Sequence, residues 1–519
     1  MDFTISSGLD IPISGAPRPV LEAAGAVSHV ALLADDYPGL RPSMEVRVGD
    51  QVAAGQALFT DKQNPGVNFT APAAGVVSAI NRGARRRLQS VVIALEGDQQ
   101  QTFPVSGGED RLAPAQIRQV LLDSGLWTAL RSRPYGKVAS PAATPAALFV
   151  TAIDTRPLAA PPAVVIAETP EDFRAGLQLL TALVPKTYLC TPPLAAGAAS
   201  GQPPAIPVPS RAASPGGQPD VMAAPLPGEE LPEITVARFA GPHPAGLPST
   251  HIHFLEPVGP GKQVWQIGYQ DVMAIGHLFR QGRLATSQVL ALGGPGIKDP
   301  RLVRVVRGAA LLELLRHELV AGAFPSVAPF ASFEDHDPND ARGTEADAGA
   351  GVSLAGADVP GASPAAGTPH RLISGSVLDG HHAHGPFAFL GRYHQQVTAL
   401  PEDDGSCLFG WLRPGGDRFS LVPAFLSVLR RRPFAMSTAT WGGRRAIFPL
   451  GTYEKVMPLD IIATALLKSL ASGNLERCLE LGVLELVEED LALCSFVCPG
   501  KNDFGPMLRE MLSRIEEEG

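Results

Sequence analysis

Residues 112 to 190 alternate between two kinds of hydrophobic spacing. Residues 117–122 and 171–183 place apolar side chains three and four positions apart, which is typical of amphipathic helices, and Thr169 is suited to cap the second. Short apolar runs instead predict buried strands at residues 148–152, 164–166 and 187–190. Because helices alternate with strands, we predict a Rossmann-like α/β layer in this region.

Residues 46–75 (VRVGDQVAAGQALFTDKQNPGVNFTAPAAG) show a different pattern, in which glycine turns separate short alternating strands. The turns at Gly49 and Gly55 and the Ala-Pro-Ala-x-Gly turn resemble those of lipoyl and biotinyl carrier domains, which are barrel-sandwich hybrids. Lys62 stands where a carrier lysine could project, but a wide Gln-Asn-Pro-Gly turn follows it instead of a tight hairpin. We therefore interpret Lys62 as a solvated turn residue and the domain as a rigid docking platform without biotin or lipoate.

The second half of the chain mixes short strands with helices. Residues 302–308 read as a strand and glycine turn that lead into an apolar helix at 309–315, which resembles the soluble-ligand-binding β-grasp fold. Further strands, punctuated by glycine, are expected in residues 370–450. Helical spacing predominates in the C-terminal part, at residues 459–470, 475–481, 488–494 and 507–517.

Two segments rich in Ala, Pro, Gly and Ser interrupt these patterns, at residues 191–232 and 334–369. Such compositions bury too little apolar area to offset about 1–2 kcal/mol of backbone ordering entropy per residue, so we expect both to be disordered insertions. The chain as a whole is predicted to be an α/β multidomain protein. Its expected parts are a barrel-sandwich domain (1–100), a Rossmann-like α/β domain (101–250, containing the insertion 191–232), a β-grasp domain (251–333), the insertion 334–369, a mixed β region (370–450) and a C-terminal helical domain (451–519).

Charge and cysteine content narrow the functional classes. The formal net charge is −9, which argues against a general nucleic-acid-binding surface. The five cysteines are scattered and odd in number, which fits a reducing compartment better than a secreted disulfide framework. The N-terminus lacks the pattern of a signal peptide, and no run of about 18 apolar residues is present, so any membrane association is expected to be peripheral.

Several long phrases together resemble one family. They include RPSMEVRVGDQV (41–52), SGLWTALRSRPYGKV (124–138), GPHPAGLPSTHIHF (241–254) and LELVEEDLALCSFVCPGKNDFGPMLRE (484–510). These phrases and their order are similar to those of the A-subunit of the bacterial sodium-translocating NADH:quinone oxidoreductase. The resemblance runs essentially from end to end, apart from the two insertions.

The resemblance implies a peripheral subunit on the cytoplasmic face of the bacterial inner membrane, within a hetero-oligomeric complex that passes electrons from NADH to ubiquinone and exports Na⁺. It also implies that NADH, FAD, FMN and an iron-sulfur centre belong to integral-membrane and peripheral partner subunits. This subunit would be associated with quinone reduction or with assembly, and the isolated chain is not expected to be catalytic. A self-sufficient NADH dehydrogenase would need a dinucleotide fingerprint after a strand, and no G-x-G-x-x-G motif stands in that context.

We expect this chain to hold no flavin. In related flavin-binding subunits a glycine-rich loop lets backbone amides approach a phosphate. The corresponding stretch here, residues 124–135, keeps only Gly125 and carries the bulky Trp127.

We also expect no bound metal. Cys494 and Cys498, which would share one face if both lay on a helix, and the distant Cys478 do not match iron-sulfur spacing, so we interpret them as buried structural thiols. A shared metal between the first two stays an alternative. The tract formed by His381, His382 and His384 is interpreted as a solvated loop rather than a transition-metal site.

A ubiquinone headgroup needs an apolar slot and one or two hydrogen-bond donors. One candidate loop is residues 34–44, with Tyr37 and Met44 as slot walls and Arg41 as a donor. The candidates in the second loop, residues 130–137, are Arg131, Arg133, Tyr135 and Lys137.

Two histidines are further candidates. His251 and His253, which strand alternation would place on one face, could donate to a quinone carbonyl or bond a buried carbonyl. Arginines and tyrosines in loops also serve contacts between subunits. The sequence therefore leaves two alternatives open, which are a purely structural scaffold and a subunit that contacts quinone.

Overall fold

The computed structural model describes residues 1–105, 112–194, 224–320, 369–403, 414–421, 425–429 and 432–518. The strands in these residues are β1 (Asp2–Thr4), β2 (Arg18–Ala23), β3 (His29–Leu33), β4 (Pro42–Met44), β5 (Gln51–Val52), β6 (Ala57–Asp61), β7 (Asn68–Thr70), β8 (Gly75–Arg82), β9 (Leu88–Leu95), β10 (Arg131–Arg133), β11 (Leu148–Thr151), β12 (Thr187–Thr191), β13 (Ile234–Ala240), β14 (Val264–Gly268), β15 (Ser287–Gly293), β16 (Arg301–Val306), β17 (His370–Ser374), β18 (His381–His382) and β19 (Gln396–Pro401). The helices are α1 (Pro114–Asp123), α2 (Pro162–Ile166), α3 (Pro170–Leu183), α4 (Pro248–Leu255), α5 (Tyr269–Gln281), α6 (Leu311–Leu314), α7 (Ala463–Ser472), α8 (Leu475–Glu480), α9 (Ala492–Val497) and α10 (Phe504–Glu518).

The first large sheet has the strand order β1-β13-β12-β11-β14-β10. Its strands pair in parallel, except that β10 is antiparallel to β14. Almost all residues of β11 and β14 are buried, on both faces of the sheet, as is typical of parallel strands covered by helices. This sheet, with α3 and α5 packed together, confirms the predicted α/β fold class.

The sheet differs from the sequence prediction in two places. Residues 164–166, expected as a strand, lie in helix α2, because the preceding prolines start a helix and a three-residue apolar run does not specify its period. Strand β14 and helix α5 lie beyond the expected domain boundary at residue 250, but β14 pairs with β11 in this sheet and α5 packs on α3. Their apolar side chains pack into the same core as those of β11.

The barrel-sandwich domain consists of a four-stranded sheet, β3-β9-β8-β5, and a three-stranded sheet, β4-β6-β7. Phe59 and Phe69 stack in its interior with ring centroids 4.7 Å apart. The strands of the first 23 residues do not belong to this domain, because β1 pairs with β13 and β2 pairs with β16. A region expected as one domain over residues 1–100 therefore contributes strands to both large sheets.

The second large sheet has the order β18-β17-β19-β15-β16-β2 and mixes parallel with antiparallel pairs. The short helix α6 packs on it through Leu311 and Leu314, which is consistent with the predicted β-grasp domain. Apart from β2, its strands come from the two expected regions 251–333 and 370–450. Strands β17, β18 and β19 provide the further strands expected in residues 370–450, and the described residues between 414 and 450 contain no strand.

The C-terminal helices α7 to α10 confirm the predicted helical domain and share an apolar core to which Ile11, Leu158 and Ile373 also contribute. Leu466, Cys478 and Leu508 are fully buried there. None of the helices in the described ranges is long and apolar enough to span a bilayer.

The two expected insertions lie mostly outside the described residues. In the first insertion, residues 191–232, the described edges are ordered: Thr191 belongs to β12, and Leu226 and Leu231 are buried. The expectation of disorder is therefore wrong at these positions. The leucines supply the apolar area that the rest of this composition lacks.

Candidate functional site

A cavity of about 780 Å³ lies where the four structural parts meet. Its walls include Asp36 from the barrel-sandwich domain, Asp154 after β11, Gly268 at the end of β14, Arg392 from the loop before β19 of the second sheet, and Glu489 from the C-terminal domain. The carboxyl ends of β11 and β14 open onto it, which is the usual ligand position in open α/β sheets. The cavity is therefore the candidate functional site.

Ion pairs around the cavity connect these parts of the structure. Arg156 pairs with Asp154 and, through its Nε, with Asp379 Oδ2 at 2.9 Å, and it also pairs with Glu489. Burial would raise the pKa of Glu489, but Arg156, Arg131 and Arg133 outweigh it, and the net effect lowers that pKa. Glu489 is therefore held as a carboxylate between the first sheet and the C-terminal domain.

Asp271, in the first turn of α5, forms a second junction. Its Oδ1 accepts from Arg392 Nη1 at 2.9 Å and from Arg307 Nη1 at 3.1 Å. A carboxylate at a helix N-terminus is favoured by the helix dipole. This carboxylate consequently links helix α5, which packs beside the first sheet, to Arg307 and Arg392 of the second-sheet region.

The structure brings the two candidate quinone loops together through Tyr393. The Tyr393 ring lies edge-on to Tyr37 at 6.1 Å, and the Arg131 guanidinium lies 4.8 Å from its centroid. Its hydroxyl donates to the carbonyl of Thr128 at 2.7 Å. The sequence did not indicate Tyr393 as a site residue, because nothing local shows that position 393 reaches residues 37 and 131.

The candidate residues of these loops differ in what they face. Arg131 lines the large cavity, and Tyr37 lines a neighbouring cavity of about 80 Å³. Met44 lies partly buried in β4, packed against the main core, and Arg41 is exposed. Arg131 thus fits the predicted donor position best, and its guanidinium has no hydrogen-bond acceptor among the described residues.

Three other candidates are engaged in structural contacts. Arg133 is 1% exposed and donates from Nε to Gln266 Oε1 at 2.9 Å, with Glu489 and Asp490 at 3.5 and 3.8 Å. Lys137 pairs with Glu516 of α10. The carbonyl of Tyr135, whose φ of 78° is left-handed, accepts from Arg509 Nη1 at 2.7 Å. These contacts hold the loop on the C-terminal helices.

The histidine candidates lie on helix α4, not on a strand. His251 is fully buried, its Nε2 lies 3.0 Å from the Ala245 carbonyl, and burial lowers its pKa to about 3. His253 pairs through Nδ1 with Glu485 Oε2 at 2.6 Å. Pro248, a typical first helical residue, was the sequence signal that could have indicated a helix here. Neither side chain lines the large cavity.

The cysteines and the histidine tract have local partners. Burial raises the pKa of Cys494 to about 12, and the Tyr453 hydroxyl donates to Cys498 Sγ at 3.1 Å. Helix α9 ends at Val497, so Cys498 caps it rather than sharing a helical face with Cys494. His381 and His382 form β18, and the His382 and His384 rings are tilted by 33° with centroids 4.7 Å apart. Across the described ranges, no group of His, Cys, Asp and Glu is arranged to hold a metal, and the prediction of no metal stays a prediction.

The stretch expected to exclude flavin packs into the core. Trp127 is fully buried and donates from Nε1 to the Ala139 carbonyl at 2.7 Å. Gly125 has a φ of 76°, and a side chain there would meet Thr70 at 2.5 Å. Lys62, the position compared with a carrier lysine, is exposed in the turn after β6. The absence of flavin, biotin and lipoate remains a prediction.

Comparison with known proteins places the chain in one family. Residues 3–96 match the family model described as the NqrA N-terminal barrel-sandwich hybrid domain, and residues 112–203 and 220–284 match the NqrA second alpha/beta domain. The chain is 48% identical to the A-subunit of the Na(+)-translocating NADH-quinone reductase of Pseudomonas aeruginosa (strain UCBPP-PA14), over 99% of both chains. It is 47% identical to the protein of that name from Shewanella frigidimarina, over 100% of both chains.

Among solved structures, an air-oxidized NAD⁺-reducing [NiFe]-hydrogenase aligns with 42% of this chain and 41% of its own, at 15% identity and a TM-score of 0.28, which supports no argument. The full-length relatives and the two domain matches agree with each other. The chain therefore belongs to the NqrA family, the A-subunits of Na(+)-translocating NADH-quinone reductases.

Proposed function

We propose that this chain is a peripheral subunit on the cytoplasmic face of the bacterial inner membrane, in a complex that couples electron transfer from NADH to ubiquinone to Na⁺ export. Within that complex its Tyr37 and Arg131 loops lie beside the quinone. The chain itself holds no flavin or metal. NADH, FAD, FMN and the iron-sulfur centre belong to partner subunits.

The observation that carries the quinone proposal is the convergence of the two loops on Tyr393. Tyr393 lines the large cavity, Tyr37 packs edge-on against it from the neighbouring smaller cavity, and the Arg131 guanidinium offers donors at the large cavity. An aromatic ring beside a cationic donor offers the contacts that a quinone ring and its carbonyl acceptors require.

The test is photolabelling of the assembled complex with a photoreactive ubiquinone analogue. We expect the label on residues 34–44 or 130–137, and its yield should fall by about ten-fold in Arg131→Ala, because a charge-assisted hydrogen bond is lost. Arg304→Ala is the matched control, since Arg304 is an exposed arginine that pairs with Glu168 at 3.1 Å. Label on neither loop would refute direct contact.

A scaffold without quinone contact is the second candidate. It is favoured by the buried ion pairs of Arg133 and by the Lys137–Glu516 pair, which use two predicted donors for internal contacts. Assembly of the other subunits in cells that lack this chain separates the two functions. Loss of assembly together with an unlabelled chain would favour the scaffold.

A further inference from the structure

Residues 440–450 (TWGGRRAIFPL), here called the exposed segment, contain neither helix nor strand. Their Trp441, Phe448 and Leu450 side chains are 53%, 54% and 63% exposed. Single exposed apolar residues are ordinary on protein surfaces, but three large ones within eleven residues of chain are typical of an interaction surface.

The backbone of the exposed segment is nevertheless held in place. The Arg445 N–H donates to the Gly500 carbonyl at 3.1 Å, and Asn502 Nδ2 donates to the Arg445 carbonyl at 3.3 Å. Trp441 adopts a left-handed φ of 46°, and the Arg418 guanidinium lies 4.1 Å from its ring centroid. Because the backbone is anchored while the apolar side chains point outward, little ordering entropy would be lost on binding.

The exposed segment is also cationic within an acidic chain. No acidic residue occurs between Met436 and Tyr453, although the whole chain has a net charge of −9. Arg444 and Arg445 are exposed, and neither forms an ion pair with a described residue.

We propose that the exposed segment binds a cytoplasmic segment of a membrane-embedded partner subunit, one that presents apolar side chains flanked by carboxylates. This inference rests on the proposed function, which supplies the partner subunits. Trp, Phe and Arg are enriched at the cores of protein interfaces, and the unpaired arginines complement carboxylates. An anionic lipid surface fits less well, because polybasic lipid-binding segments usually carry about four to eight basic residues.

The test is co-purification of the full chain with its co-expressed partner subunits. Trp441→Ala/Phe448→Ala and, separately, Arg444→Glu/Arg445→Glu should each lower recovery of the complex by about ten-fold, as loss of interface anchors does. The control Arg85→Glu/Arg86→Glu makes the same charge change at the exposed β8–β9 turn and should leave recovery unchanged. The melting temperature of each isolated variant should stay near that of the wild type, since the altered side chains are exposed.

Full recovery of the complex with both segment variants would overturn the proposal. So would loss of binding to phosphatidylglycerol vesicles without loss of complex, which would make the lipid the occupant. Hydrogen exchange of the wild-type chain is the second measurement: residues 440–450 should become protected in the complex, and unchanged exchange would contradict the proposal. If the wild-type chain itself fails to co-purify, the proposed function fails as well. If the wild-type chain and both segment variants co-purify, only the inference about the exposed segment fails, so the two failures are distinguishable.

Discussion

Asp36 shows how burial changes the chemistry of one side chain at the cavity. Burial raises its pKa from 3.8 to about 7, while the Arg392 N–H, which donates to Oδ2 at 2.7 Å, opposes that rise. Because the folded-state pKa is the higher one, the stabilisation from its protonated form is fully present below pH 3.8 and is lost as the pH rises to about 7.

The variant Asp36→Asn should remove this pH dependence, since an amide keeps an acceptor for Arg392 but does not titrate. Relative to the wild type, the variant should gain free energy of unfolding between about pH 5 and about pH 8. Urea unfolding of both proteins at the two pH values measures the change. An identical difference at both values would mean that Asp36 does not titrate in this window.

At the scale of elements, helices α3 and α5 approach each other closely where two glycines meet. A Cβ at Gly276 would lie 1.8 Å from the Asp172 carbonyl oxygen, and one at Gly176 would lie 2.1 Å from that of Val272. Both neighbours are backbone atoms of the facing helix, so they cannot move aside as a flexible side chain would. The spacing of the two helices therefore depends on these glycines.

Gly276→Ala should lower the free energy of unfolding by about 1–3 kcal/mol, because the added methyl group forces the helices apart. The sign is diagnostic, since alanine alone favours a helix by about 1 kcal/mol over glycine. Gly25→Ala, where no atom lies within 4 Å of the added Cβ, is the control and should change stability by less than about 0.5 kcal/mol. A neutral or stabilising Gly276→Ala would show that α3 and α5 tolerate separation.

At the scale of the whole molecule, the chain returns to the same place after residues 321–368. The Val320 N–H donates to the Gly296 carbonyl at 2.9 Å, and the His370 ring lies against Gly296. The two ends of the intervening segment therefore lie close together on the second sheet. A short connection could join them without moving β16 or β17.

Replacing residues 324–366 with a Gly-Ser linker of about ten residues should leave folding intact and change stability by no more than about 1 kcal/mol, since loop-closure entropy varies slowly with length. Thermal melting of the isolated chain and co-purification of the complex are the measurements. A folded variant that no longer co-purifies would show that the replaced segment contacts a partner.

The predictability of the fold differed between regions for physical reasons. The helices in residues 459–517 could be predicted because their apolar positions follow helical spacing. The structure confirms that these positions share one core. The run at 164–166 was too short to specify a period, and the prolines before it favoured a helix. His251 and His253 were misplaced because alternation over three residues fits a helix turn as well as a strand.

By itself, the sequence determined the fold class, the carrier-like sandwich, the helical C-terminus and the family, because these depend on local periods, turn residues and long phrases. Only the tertiary structure decided which strands β1 and β2 join, that Tyr393 links the two loops, and that Arg133 and Lys137 are used for internal ion pairs. The reason is physical: a residue's period along the chain reports which face it presents, whereas its partners come from distant positions that folding brings together.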